Sequence, residues 1–194
     1  MSASFRGRIV EQPPDCLVQC LVRYGVIPEV ARCHASGDAG LARGDQVVVE
    51  THRGLQHGTV VEVLRRAALS RDSSSGGSDA DDEPAGFEIL RRAAPGDVEK
   101  SQLLRTDAEG QFSAWVDRIA AWKVDVQVID LEWTLDRSKL VVYVLNERGP
   151  ECTKLAIQAA AAGLGVIEVQ PVAGDGPVAL PTAGGGCGTC GCHS

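Results

Sequence analysis

The chain has 194 residues, 44% of them apolar but only 4% aromatic. One compact domain or two small ones are expected, with a core built mainly from Val, Leu, Ile and Ala. The formal charge of −7, from 19 Lys and Arg against 26 Asp and Glu, argues against direct nucleic-acid binding or membrane adhesion through bulk electrostatics.

No apolar run approaches the roughly 20 residues of a membrane span, so no membrane insertion is expected. The opening residues Met1-Ser2-Ala3-Ser4-Phe5-Arg6 lack the apolar stretch of a signal peptide. A cytoplasmic location is the expectation. In a reducing compartment the seven Cys are expected to be core residues or metal ligands rather than disulfides.

Over residues 16–24 the odd and even positions separate. Cys16, Val18, Cys20, Val22 and Tyr24 share one face, while Gln19 and Arg23 point the other way. That period of two predicts a half-buried strand, with Cys16 and Cys20 as small core hydrophobes. A second short strand is expected over 26–33 and a loop over 35–40. Gly44-Asp45 turns the chain into the β-branched run Val47-Val48-Val49. Thr51-His52-Arg53-Gly54 turns it again, toward a strand carrying Val60, Val61 and Val63. Short strands with Gly-rich turns predict a small β-barrel or meander.

Residues 70–86 hold Ser73-Ser74-Ser75-Gly76-Gly77-Ser78 followed by Asp79, Asp81, Asp82 and Glu83. Such a segment buries too little apolar surface to offset its ordering entropy, so a disordered acidic insertion is expected. Arg65, Arg66, Arg91 and Arg92 flank it, either paired with its carboxylates or forming a basic edge. Residues 87–92 resume an extended pattern. Pro95-Gly96-Asp97 announces a helix with Asp97 as candidate N-cap. Phe112, Trp115, Val116, Ile119 and Trp122 then recur at helical spacing as a core stripe.

Two strands follow, over 124–133 and 139–145, joined by a hairpin turn at Asp136-Arg137-Ser138. Gly149-Pro150 opens an Ala-rich second helix, which Gly163 and Gly165 end. A last strand spans 166–170. The fold class is therefore α+β: a small β-barrel or meander, then a ferredoxin-like α-β-β-α-β unit, with an acidic loop and a Gly/Cys-rich tail. The extended segment 87–92 would either lead the ferredoxin-like order or close the barrel. The expected parts are residues 1–93, with the insertion at 70–86; residues 94–172; and a flexible tail, 173–194.

Several segments resemble, in order, the PSP C-terminal-region family of bacterial RicT/YaaT-like regulators. They are residues 41–60, from Leu41-Ala42-Arg43-Gly44-Asp45 through Gly58-Thr59-Val60; Ile89-Leu90-Arg91-Arg92-Ala93 with Asp97; Leu131-Glu132-Trp133-Thr134-Leu135-Asp136-Arg137; and Ile167-Glu168-Val169-Gln170. The opening of the second helix departs from the family: Gly149-Pro150-Glu151-Cys152-Thr153 stands where the family often carries an Arg-containing segment. The resemblance implies a non-enzymatic cytoplasmic adaptor. It would scaffold small protein partners in a regulatory complex that can carry iron–sulfur clusters. Such a complex would act indirectly, through a ribonuclease, on RNA processing and developmental gene expression.

The strongest chemical feature in the residues themselves is the tail, where Gly184-Gly185-Gly186 tethers C-x-x-C-x-C-H. Cys187, Cys190 and Cys192 lie close enough in sequence to converge on one soft cation, with His193 as a further candidate ligand. An iron–sulfur cluster or Zn²⁺ suits them; the alternative is a tail of free thiols with no fixed metal. His52, Arg53 and His57 flank the Gly54 turn and form a candidate anion- or partner-binding patch. No Ser/His/Asp set, phosphate loop or zincin motif appears, so no catalytic residue is assigned. Two alternatives to the adaptor remain: a metal-binding or thiol-redox protein working through the tail, and a small RNA-binding module suggested by fold analogy alone.

Overall fold

The computed structural model describes residues 17–36, 40–64, 86–146, 149–173 and 176–177. Two antiparallel hairpins come first: β1 (Leu17–Tyr24) with β2 (Glu29–Ser36), and β3 (Gln46–Thr51) with β4 (Gly54–Leu64). β4 also pairs with β1, and β5 (Phe87–Arg92) inserts between β2 and β3. The result is a closed barrel in the order β1-β2-β5-β3-β4.

The period-two pattern read from the sequence fills its interior. Cys20, Val22 and Tyr24 from β1 meet Cys33, Ala35, Val47, Val49, Val60 and Ile89. Gly58 permits the β1–β4 approach, because a Cβ there would lie 2.6 Å from Val22 Cγ1. Cys20 stands opposite Cys33 in the β1–β2 register. Both are buried free thiols. Burial, with the neighbouring Cys20 thiol, pushes Cys33 up to about 12, so it stays a protonated core residue at neutral pH.

The strand expected over 26–33 starts later, at Glu29, and runs to Ser36. Residues 25–28 are instead the hairpin turn, entered through Gly25 at φ 81°. Val26 and Ile27 leave the barrel there and cover Val141, Tyr143 and Val172 of the second sheet.

Helix α1 (Pro95–Trp122) begins two residues before the expected cap. Ala94 is the N-cap and Pro95 occupies the first turn, where its missing N–H costs no helical bond. Asp97 is the third helical residue; its carboxylate accepts from Ala94 N at 2.8 Å and pairs with Arg91. Trp115 and Ile119 lie in the core as expected. The buried stripe extends back through Ala108 and Leu104. Val116, expected in the stripe, is 43% exposed, because one residue after Trp115 the helix has turned about 100°.

β6 (Gln127–Trp133), β7 (Leu140–Leu145), α2 (Pro150–Ala161), β8 (Ile167–Ala173) and β9 (Gly176–Pro177) complete the chain's described elements. Their sheet runs β6-β7-β8-β9, with β8 parallel to β7. The strand that would separate β7 from β8 in a complete ferredoxin-like sheet is β5, which lies in the barrel. The residue pattern accounts for this. β5 buries only Ile89 and exposes Leu90, Arg91 and Arg92, which suits a one-sided barrel wall. β7, Leu-Val-Val-Tyr-Val-Leu, buries its first five residues and suits a strand covered on both faces.

Leu140, Val142 and Val144 of β7 pack with Trp115 and Ile119 of α1 and with Cys152, Leu155 and Ala159 of α2. Val141 and Tyr143 face the β1–β2 turn of the barrel. A further small cluster of Val48, Leu104 and Leu135 joins β3, α1 and the β6–β7 turn. No helix among the described residues is long and apolar enough to cross a membrane.

Candidate functional site

The junction between barrel and sheet carries most of the buried polar chemistry. Its centre is Arg53, in the β3–β4 turn and 1% exposed. Thr51 shapes that turn: its hydroxyl accepts from Arg53 N at 3.2 Å and donates to the Gly54 carbonyl at 3.1 Å. Gly54 follows at φ 113°, a conformation that costs little only for glycine. The Arg53 side chain then crosses into the second sheet. It donates to the Tyr143 hydroxyl at 2.9 Å and forms an ion pair with Glu29. The Tyr24 and Tyr143 rings lie 5.9 and 5.5 Å from its guanidinium carbon, in cation–π range.

Tyr143 in turn donates to Glu132 of β6, and Glu132 also accepts from Val26 N at 3.2 Å. Glu29, Arg53, Tyr143 and Glu132 thus form a continuous clasp from barrel to sheet. Burial raises the Glu132 carboxyl above its ordinary range, against the opposing pull of the Tyr143 hydrogen bond and the Arg53 charge. Burial also raises Tyr143, reinforced by the Glu132 charge. Tyr143 therefore stays protonated and donates.

The three residues expected to form one partner patch are separated. His52 is exposed and lies against Phe87, with ring centroids 5.6 Å apart. Arg53 is turned inward and held by the clasp through its two terminal nitrogens, so it presents no charge at the surface. A turn sequence of this kind reads as exposed because the groups that bury it, Glu29, Glu132 and Tyr143, are distant in sequence. His57 is half-buried on the outer wall of β4, where burial lowers its pKa below the ordinary value. Of the basic edge, Arg91 pairs with Asp97 and Arg92 with Asp45; Arg65 and Arg66 lie outside the described residues. So do Cys16, the acidic segment up to residue 85, and the tail with Cys187, Cys190, Cys192 and His193. Among the described residues no group of three or more His, Cys, Asp or Glu is placed to hold a metal ion.

Beside the clasp, a cleft of about 220 Å³ opens between the β1–β2 turn, β4, the first half of α1 and the end of β6. Gln56, His57, Ser101, Arg105, Glu132 and Trp133 supply its polar lining. Arg105 is neutralised by Asp130 at 2.8 Å and Glu109 at 2.7 Å. Local sequence pattern does not reveal the clasp or the cleft; the signals it holds for the clasp are Glu132 inside a strand and the phenol of Tyr143 inside an apolar run, since a buried polar tip needs a partner.

Residues 87–149 match the family described as the PSP1 C-terminal conserved region. No curated protein and no solved structure gives a significant match. The matched segment starts on β5, inside the barrel wall, and ends at Gly149, the N-cap of α2. It includes Glu132 and Tyr143 but not the other two members of the clasp, Glu29 and Arg53.

Proposed function

We propose that this chain is a non-enzymatic adaptor that joins small protein partners in a regulatory complex, because residues 87–149 match the PSP1 C-terminal conserved region, to which the RicT/YaaT regulators belong. The observation that carries this reading is the match over residues 87–149. The fold is consistent with a scaffold, because the matched segment contributes to both halves and the Arg53 clasp ties them together. Through its partners the adaptor would act on RNA processing and developmental gene expression in the cytoplasm. Affinity capture of the full chain from native cells under anaerobic conditions tests this. The proposal expects discrete small proteins in fixed ratio to the chain; recovery of the chain alone would overturn it.

The C-x-x-C-x-C-H spacing favours a second role within the same proposal, a soft-metal site at the tail. Cys187, Cys190 and Cys192 would supply three thiolates to an iron–sulfur cluster or Zn²⁺, with His193 or a partner residue as the fourth ligand. Metal analysis of the purified chain, before and after Cys190→Ser, separates this from a tail of free thiols. Equal metal in the two proteins would exclude the tail as the site.

A further inference from the structure

Four buried side-chain nitrogens among the described residues have no hydrogen-bond partner within the protein. Three of them, Gln56 Nε2, His57 Nε2 and Trp133 Nε1, belong to residues that line the cleft beside the clasp. Buried polar groups in folded proteins are almost always satisfied, because an orphaned one costs the desolvation of that group. Gln56 is only 2% exposed, so side-chain rotation into bulk water does not relieve it. Orphaned groups gathered around one concavity are the expected form of a preorganised binding site rather than scattered packing faults.

The chemistry of the lining selects the ligand. Trp133 Nε1 is a donor only. Burial keeps His57 neutral, so its imidazole offers one donor and one acceptor. Ser101 adds a hydroxyl, and Val26, Leu104 and Leu135 supply apolar wall. An anion finds no net positive charge here. Arg105 already pairs with Asp130 and Glu109, and the Glu132 carboxylate stands in the same wall. Neutral donors beside apolar surface suit an uncharged carbonyl oxygen. A volume of about 220 Å³ suits a single ring or a short amide rather than a large cofactor. We infer that the cleft between barrel and sheet is a binding site for a small, uncharged, amide-bearing molecule, whose carbonyl accepts from the Trp133 indole. This inference stands on the cleft alone and does not require the adaptor reading.

Three ring compounds of matched size make the test: benzamide, benzoate and ethylbenzene, each titrated into the full chain while the tryptophan indole N–H resonances are followed by NMR. The resonance missing from Trp133→Phe identifies Trp133. Benzamide should shift that resonance saturably and leave that of Trp115, buried in the helix–sheet core, in place. Trp133→Phe, which keeps an aromatic plane and removes the N–H, should weaken benzamide binding about tenfold as read by isothermal titration calorimetry against the unaltered chain, as for one lost buried hydrogen bond, with the melting temperature showing that the variant is folded. Gln56→Leu, read by the same resonance, gives a second variant in which the indole reporter is kept, and it too should weaken benzamide. Benzoate or ethylbenzene binding as well as benzamide would overturn the assignment of an uncharged carbonyl. No saturable shift with any of the three at roughly millimolar concentration, where even weak small-ligand affinity registers, would overturn the site itself.

Discussion

Replacing Arg53 with Met tests the clasp directly, because Met keeps most of the side-chain volume and removes the charge and its donors. The guanidinium is 1% exposed and Glu29 22% exposed, so the pair is largely shielded from water. Removing one member of a buried pair costs about 3–5 kcal/mol, much of it from the charge left behind. Glu29 keeps some solvent access and can rehydrate, which moves the expectation to the lower end, about 3 kcal/mol. The lost hydrogen bond to Tyr143 and the two ring contacts fall within that sum. Urea denaturation reads the change as a lower midpoint at unchanged slope. Glu29→Gln alone and combined with Arg53→Met closes a double-mutant cycle, in which a coupling above about 1 kcal/mol is expected for residues in direct contact. A loss below about 1 kcal/mol in Arg53→Met, or independent effects in the cycle, would refute the claim that the clasp holds the barrel to the sheet.

Trp115→Ala should cost about 3–5 kcal/mol, the range for emptying a buried aromatic site, since Trp115 is 1% exposed in the core between the helices and the sheet; a near-neutral denaturation midpoint would place that face outside the core. Gly58→Ala should destabilise by about 1–3 kcal/mol through overpacking, because the added Cβ would lie 2.6 Å from Val22 Cγ1, and an unchanged melting temperature would contradict the close β1–β4 approach. Asp97 is held below the usual carboxylate range by its hydrogen bond from Arg91 and by the Ala94 backbone N–H. A lowered folded-state pKa contributes stability above the unfolded value of about 3.9 and loses it as pH falls through the folded value. Asp97→Asn should therefore be less stable at neutral pH and show a shallower loss on acidification, and parallel acid limbs would argue against that contribution.

The barrel strands were legible because burial on one face imposes a period of two, as in Cys20-x-Val22-x-Tyr24. β7 was legible as an apolar run and the helices by Pro95 and Pro150 near their starts. The sheet to which β5 belongs was not legible. A strand's alternation says that one face is buried, but not which neighbours bury it, and residues 87–92 follow the expected element order of both sheets. The placement of Arg53 escaped for a related reason. Thr51-His52-Arg53-Gly54 has the local chemistry of an exposed turn, whereas Tyr143, which receives its hydrogen bond, is 90 positions away. Local pattern likewise placed the cap at Asp97, where Pro95 allowed the helix to start earlier. The cleft needed both halves in place before its orphaned groups could be seen, since Gln56, Ser101 and Trp133 belong to three different elements.

Native mass spectrometry of the full chain, captured anaerobically from its own cells, is decisive for the proposed adaptor role. The expected species is a complex whose mass is that of the 20.4 kDa chain plus whole numbers of small protein partners. The chain at its own mass under these conditions, or bound only to metal, would contradict it.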